Sequence, residues 1–462
     1  MGQLPTLGSD TSVLADRLVG GFDPELFYPR VHIVRFSGLR DDRIVITGIG
    51  IVTAVGGDRE AVWRAMQAGK SGIRRLTGIA GIPDGMLLGA TVDVETEFPG
   101  QLKNIPLSRV TAAEALADSG IDLDGVGHDG VDRDRFGCSI GAHMGDDDFV
   151  TERLGRYDLI PPGKRPWFEQ WLPNTSCAVV ARELDLRGPQ LSNSTACASG
   201  TIAILKAARA IRDGQCDLAL TGSSEAIHPL FAAGFHSMGV LAEHDDPAEA
   251  SRPFDADRNG FVMGEGAAML VLERLSHARE RGAAIYAEIL GGRMLSDGRH
   301  VTSLDAGSNS LVELIDGSLR TSGLTPDDIS YVNAHGTGTQ QNDVMETRGI
   351  RRALGRAADS ICVSANKSML GHLVNASGSV ELALTALALR DGFAPPTLNL
   401  THPDPECDLD CVPLVGRARP FEHAIKLSIA FGGHLAAIVL RRWTGAEERA
   451  ALPLAIPQRR AA

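Results

Sequence analysis

Along this chain, short unbroken apolar runs alternate with longer stretches in which apolar residues recur at helical spacing. Unbroken runs closed by glycine or polar turns read as buried strands, and the periodic stretches as helices packed on them. Strands are predicted over 43–53, 136–142, 217–226, 285–294, 329–333 and 360–365. A glycine-rich turn after 260 leads into another, and two last strands lie within 426–440 around Phe431-Gly432-Gly433. Helices are predicted over 59–68, 107–119, 198–212 and 309–322. Alternating buried strands and helices define an α/β fold. Residues 1–42 hold no sustained period and read as an N-terminal extension, partly ordered and non-catalytic, and 444–462 as a polar tail. The proline- and tryptophan-bearing stretch 160–173 reads as an irregular surface or subunit-contact excursion.

Two of the periodic stretches repeat each other. Ala198-Ser-Gly-Thr through Arg-Asp-Gly214 can be laid on Ala376-Ser-Gly-Ser through Arg-Asp-Gly392 at equal length. Both open with Ala-Ser-Gly and close with Arg-Asp-Gly, where glycine ends a helix. A helix apolar on all sides must be sandwiched between layers. The repeat therefore predicts two homologous halves, 43–290 and 291–443. The first carries Cys197 just before its helix; the second carries Lys367 and His372 just before its own.

Composition changes this picture little. The chain has 462 residues, 43% of them hydrophobic and 22% charged, enough for a large core. A net charge of -13 with no basic run argues against nucleic acid as the main partner. No apolar run is long enough to span a bilayer and no signal-peptide pattern opens the chain. Seven scattered cysteines without a CxxC pair predict free thiols in a cytoplasmic protein. Gly48-x-Gly50 lacks the third glycine and the helix of a dinucleotide fingerprint. Asp146-Asp147-Asp148 reads as a solvated loop rather than a metal site.

The chemistry gathers at Cys197, His335, Lys367 and His372, each on a short loop of small residues after a strand. Cys197 opens a helix, where the dipole and free N–H groups favour thiolate over thiol. This stretch alone fits a packed structural cysteine equally well. A cysteine with a histidine suggests nucleophilic acyl chemistry. Two histidines can donate hydrogen bonds to a carbonyl oxygen that becomes an enolate.

Ser194-Thr-Ala-Cys-Ala-Ser-Gly, Asn333-Ala-His-Gly-Thr-Gly-Thr, Lys367-Ser-Met-Leu-Gly-His and Phe431-Gly-Gly resemble, in order, the motifs of β-ketoacyl-[acyl-carrier-protein] synthases of the type II elongating class and of related polyketide ketosynthases. The resemblance runs from about residue 43 to 443. It implies the thiolase fold, a five-layered αβαβα duplication, as a homodimer or as a heterodimer with a chain-length-factor-like ketosynthase. It implies that Cys197 takes an acyl chain from the phosphopantetheine of an acyl carrier protein, in an oxyanion hole made by its own N–H and that of Phe431. His335 and His372 would promote decarboxylation of malonyl carrier protein and hold the enolate, with Lys367 supporting His372. Thr337 and Thr339 would contact the pantetheine arm, Phe431 would gate the acyl pocket, and Gly432 would belong with them to the substrate-binding residues. Asp343, Glu346 and Glu381 fall at structural positions, as does Cys407. No metal and no cofactor held by the chain itself are implied.

Four segments depart from the family pattern: Ala430-Phe-Gly-Gly-His-Leu435 for the usual Gly-Phe-Gly-Gly-Thr/His-Asn, Val374-Asn-Ala-Ser-Gly after the second histidine, the acidic loop Glu243-His-Asp-Asp, and Ser296-Asp-Gly-Arg-His300. Ala430 would restrict the backbone before the gate. These changes leave the catalytic groups intact and point to a specialised, type II polyketide-like ketosynthase. Housekeeping fatty-acid elongation is the alternative. A non-catalytic partner subunit is disfavoured because Cys197 is present, and a degradative thiolase because no late cysteine stands near Phe431.

Overall fold

The computed structural model describes residues 43–79, 82–96, 103–123, 131–142 and 172–445. The extension 1–42, the Asp146–Asp148 loop, nearly all of 160–173 and the tail past 445 lie outside them.

Strand β1 (Ile44–Thr53) opens the fold and is followed by α1 (Arg59–Gln67) and α2 (Asn104–Ser119). Next come β2 (Phe136–Gly141), α3 (Thr175–Glu183), β3 (Gln190–Asn193), α4 (Ser199–Arg212), β4 (Leu218–Glu225), α5 (Pro229–Ser237) and β5 (Gly266–Arg274). Strand β6 (Ala287–Ser296) then begins a second pass through the same order: α6 (Asn309–Ser322), β7 (Ile329–Asn333), α7 (Gln340–Leu354), β8 (Cys362–Ser364), α8 (Ser377–Asp391), β9 (His423–Ala430) and β10 (His434–Arg442).

The ten strands run β8-β7-β9-β10-β6-β1-β5-β4-β2-β3. Each run of five has the same pairing. β5 is antiparallel to β1 and β4, and β2 is parallel to β4 and β3. Likewise β10 is antiparallel to β6 and β9, and β7 is parallel to β9 and β8. The runs meet where Ile44, Val45 and Ile46 pair with Ile289, Glu288 and Ala287. Helices α4 and α8 touch strands of both runs, whereas α2 packs on β1, β5 and β4 and α6 on β6 and β10. The layers are therefore helix, sheet, helix, sheet, helix. The central helix α8 is buried from Ser377 to Leu389, as an all-apolar helix requires.

Close packing explains the glycines the sequence singles out. A Cβ on Gly48 would lie 2.2 Å from Ala115 O, and one on Gly50 2.1 Å from Thr111 O. This pair lets α2 lie against β1 and has no phosphate-binding turn. In the repeated Ala-Ser-Gly, a Cβ on Gly200 would meet Ser379 N at 2.6 Å and one on Gly378 would meet Thr201 N at 2.5 Å. The two central helices thus cross where their first turns touch. Gly200→Ala is expected to lower stability by about 1–3 kcal/mol, because backbone rather than a flexible side chain must give way. Urea unfolding of the two proteins measures this, and an unchanged midpoint would contradict the close crossing.

Candidate active site

Four loops converge at the starts of α4 and α8. Cys197 sits in a tight turn, Ala196–Ala198, between β3 and α4. Ala196 has φ 46°, a left-handed conformation that costs a non-glycine residue energy and bends the chain sharply. Val374, which matches Ala196 across the repeat, has φ 38°. Both halves therefore make the same elbow. Cys197 is 7% exposed. Its Sγ lies 3.1 Å from His372 Nε2 and takes backbone N–H contacts from Cys197 itself and from Phe431 at the end of β9.

The thiolate expected from the helix start is not the resting form. Burial pushes the Cys197 thiol up to about 12, outweighing the opposing pull of the Lys367 charge and of those two N–H groups. A helix N-terminus stabilises an anion only by the strength of its orphan donors, and loss of water costs this sulfur more.

Both histidines are oriented from behind. Val374 N–H donates to His372 Nδ1 at 3.2 Å, so the ring proton resides on Nε2. Ser377 Oγ lies 2.9 Å from the same Nδ1. His335 Nδ1 is 3.4 Å from the Lys367 ammonium, which can only donate, so its proton also resides on Nε2. The two rings meet edge to face with centroids 5.3 Å apart. Burial, then the charges of Lys367 and Lys426, hold His335 well below the usual histidine range. It is a neutral N–H donor at physiological pH.

Lys367, expected to support His372, is instead held against His335: it also donates to His335 O and pairs with Glu381 at 2.6 Å. The other Glu381 oxygen pairs with Lys426 at 2.7 Å, and all three side chains are 1% exposed or less. Glu381→Gln would leave two ammonium groups in a dry interior with no carboxylate between them. It is expected to cost about 3–5 kcal/mol, read as a lower urea midpoint. A variant as stable as the parent would show that the trio carries no net charge pairing.

The His335 loop is held by buried carboxylates of α7. Glu346 accepts from His335 N–H at 2.6 Å and Gly336 N–H at 2.7 Å, and burial pushes its carboxyl up to about 7. Asp343 accepts from Thr337 N–H and Gly338 N–H at 3.2 Å and from Phe254 N–H at 2.8 Å. Arg258, fully buried, lies 3.5 Å from Asp343 and pairs with Asp404 at 2.6 Å. Cys407 is buried in the core of the second five-stranded run.

Cys197, His335 and His372 open on a cavity of about 290 Å³ that also takes in Thr337, Thr339 and Phe431. Thr337 and Thr339 hydroxyls are 2.9 Å apart. Gly432 is exposed, outside the cavity lining, and its N–H donates to Val301 O at 2.6 Å. Ala430 has φ −138° and ψ 151°, ordinary extended backbone, so alanine places no restriction there. Leu435 packs in a hydrophobic core, where an amide would need partners. Phe235, Met238 and Phe261 form the apolar wall, and no sequence motif marks them. Lys426 and Arg258, equally unmarked, act one layer behind the site. Nothing short of the fold brings them there.

Ring nitrogens of His335 and His372 and the Cys197 sulfur lie within 4.8 Å of one another, a zinc-type donor set. With both Nδ1 atoms engaged from behind, the inward nitrogens carry protons rather than lone pairs, which suits an anionic oxygen better than a cation. The metal-like trio Asp255, Asp257 and His402 is partly exposed, and Asp255 already accepts from the backbone N–H groups of Asp257, Thr401 and His402. Among the described residues, no helix is long and apolar enough to cross a membrane.

Comparison with known proteins agrees with this arrangement. "Beta-ketoacyl synthase, N-terminal domain" matches residues 41–278 and "Beta-ketoacyl synthase, C-terminal domain" residues 286–401. The tetracenomycin polyketide synthase ketoacyl synthase alpha subunit of Streptomyces glaucescens is 39% identical over 424 residues, covering 87% of this chain and 97% of that protein. The 3-oxoacyl-[acyl-carrier-protein] synthase 2 of Coxiella burnetii is 37% identical over 415 residues, covering 87% and 98%. Among solved structures, a ketosynthase in complex with its type II polyketide acyl-carrier protein, bound to a hexaketide, superposes with TM-score 0.79 at 31% identity, covering 87% of this chain and 99% of that one. A β-ketoacyl synthase from Burkholderia phymatum gives 0.78 at 33% identity, covering 87% and 100%. The two-pass fold, the four loops at its centre and these likenesses over most of the chain agree: this chain belongs to the β-ketoacyl synthase family, with the thiolase fold.

Proposed function

We propose that this protein condenses an acyl thioester with malonyl-[acyl-carrier-protein] to give 3-ketoacyl-[acyl-carrier-protein]. One observation carries the reading. Two neutral imidazoles, each engaged at Nδ1, turn Nε2–H groups toward one space beside a cysteine sulfur.

In the first step the Cys197 sulfur attacks the thioester of the acyl carrier protein. The S–acyl bond forms, the pantetheine C–S bond breaks, and the proton lost by Cys197 leaves on the pantetheine thiol. The N–H groups of Cys197 and Phe431 hold the oxyanion. Malonyl carrier protein then enters, its pantetheine arm passing Thr337 and Thr339. The C–CO2 bond breaks, CO2 departs, and the electron pair becomes an enolate. His335 and His372 N–H groups stabilise its oxygen. The enolate carbon attacks the acyl-Cys197 carbonyl, a C–C bond forms, and the sulfur leaves as thiolate, which regains a proton from solvent. Lys367 and Glu381 hold His335, Asp343 and Glu346 hold its loop, and Phe431 gates the acyl chain. The phosphopantetheine belongs to the substrate carrier.

The specialised, polyketide-like role is in keeping with the likeness to polyketide subunits; housekeeping elongation, in keeping with the likeness to 3-oxoacyl-[acyl-carrier-protein] synthase 2, is the alternative. A partner resembling a chain-length factor is in keeping with the ishigamide ketosynthase/chain length factor, at TM-score 0.77 and 29% identity; a homodimer is the alternative. We further propose a cytoplasmic location, and two duplicated halves, 43–290 and 291–443, with the boundary falling inside β6. Supplied with acyl and malonyl carrier proteins, the wild-type protein should show an acyl adduct on Cys197 and a 3-ketoacyl product by mass spectrometry. Absence of both signals, with the protein alone and with a ketosynthase-like partner, would overturn the reading.

A further inference from the structure

The turn carrying His372 differs from its counterpart in the first half in what its side chains hold. Laying Ala376-Ser377-Gly378 on Ala198-Ser199-Gly200 sets Asn375 opposite Cys197 and Ser377 opposite Ser199. Both serines open their helices and both are fully buried. Ser199 uses its hydroxyl on its own turn, donating to Ala196 O at 2.7 Å and accepting from Thr195 N–H at 2.9 Å. The Ser377 hydroxyl lies instead 2.9 Å from His372 Nδ1. That nitrogen already accepts Val374 N–H. A lone pair, not a proton, therefore faces the hydroxyl, and Ser377 is the donor.

The rest of the turn is built to keep that geometry. His372 N–H donates to Val262 O at 2.6 Å, and Gly264 N–H donates to His372 O at 3.0 Å. The Phe261 ring meets the imidazole at 75° with centroids 5.1 Å apart. Asn375 donates to Gly141 O at 3.0 Å and Ser224 O at 2.7 Å, which ties the turn to the ends of β2 and β4. Asn375 and Ser377 belong to the Val374-Asn-Ala-Ser-Gly segment, which departs from the family pattern. That departure was expected to leave the catalytic groups alone, yet its serine touches one.

We propose that Ser377 is a positioning residue whose hydroxyl donates to His372 Nδ1, keeping the ring proton on Nε2 and aimed at the reacting oxygen beside Cys197. Of these two contacts at Nδ1, the one at 3.2 Å comes from backbone and the shorter, at 2.9 Å, from the Ser377 side chain. Losing it weakens the hold on Nδ1 to the longer contact from Val374 N–H, so the aim of the ring and its bias toward the Nε2 tautomer both fall. A misaimed donor matters most where charge develops, at the enolate, and least for loading of the sulfur. This inference rests on the condensing reading above.

Ser377→Ala and Ser377→Thr are compared with wild type in two assays: acylation of Cys197 by acyl carrier protein, and condensation with malonyl carrier protein. Ser377→Ala should load at the wild-type rate, lose about tenfold in condensation kcat and keep KM for malonyl carrier protein within about twofold; Ser377→Thr should recover most of the loss. Nitrogen NMR of histidine-labelled protein should find His372 protonated on Nε2 in wild type and as a mixture of tautomers in Ser377→Ala. An unchanged kcat, or equal losses in loading and condensation, overturns the proposal. So does a wild-type spectrum with the proton on Nδ1, which decides the question if Ser377→Ala fails to fold. If wild type neither loads nor condenses, the condensing reading has failed, and the tautomer spectrum still judges the Ser377 contact by itself.

Discussion

Cys197→Ala abolishes acyl transfer to the protein and lowers 3-ketoacyl formation by about 10⁴-fold or more, because the whole reaction passes through one sulfur. The expected adduct disappears from the intact mass, and no other cysteine replaces it. Cys407 is pushed up to about 12 by burial and Cys216 up to about 11, and neither lines the cavity. The histidines remain, so slow release of CO2 from malonyl carrier protein should persist without condensation. The fold should be undisturbed, since the change removes one atom from a small cluster with Ala198, Ile202, Val374 and Ala436. An acyl adduct on the variant, or condensation at the parent rate, would remove Cys197 from the mechanism.

His335→Ala should separate the two half-reactions. Loading uses the sulfur and the Cys197 and Phe431 N–H groups, none of which the His335 side chain supplies. Condensation loses one of two donors to the enolate oxygen. Removing a single pre-aimed donor of this kind costs about 10²–10³-fold in rate, so kcat for condensation should fall by that factor with loading near normal. Burst-phase acylation and steady-state product formation, measured on the same preparation, give the two numbers. Equal losses in both would mean that His335 serves the sulfur and not the enolate. The Lys367 ammonium, relieved of its 3.4 Å contact with the ring, still pairs with Glu381, so the variant should remain folded.

Much of this was legible in the sequence because it is local. Strand and helix positions came from periodicity, and 59–68 and 309–322 differ from α1 and α6 by a residue at most. The matched Ala-Ser-Gly and Arg-Asp-Gly signals located both central helices, and Gly214 and Gly392 take the left-handed φ of 74° and 62° that ends them. Helix α7 left no such signal. Its buried face includes Asn342, Asp343 and Glu346, so the apolar period that reveals other helices is missing. Those carboxylates are inside because the backbone N–H groups of the His335 loop need acceptors, a demand set by another part of the chain.

The sequence by itself determined the α/β pattern, the internal repeat, and the four loops that carry Cys197, His335, Lys367 and His372. Only the tertiary structure decided their states. The helix start should favour thiolate, yet burial against His372 and the apolar wall holds Cys197 as a thiol. The Val374-Asn-Ala-Ser-Gly departure reads as leaving the catalytic groups intact, yet the fold sets the Ser377 hydroxyl on a ring nitrogen of His372. Alanine at 430 looked restrictive until its backbone proved fully extended. The reason is common to all three. Periodicity and motifs report what a residue is and which element holds it, whereas protonation, hydrogen-bond partners and strain depend on which distant atoms the fold presses against it and how completely it excludes water.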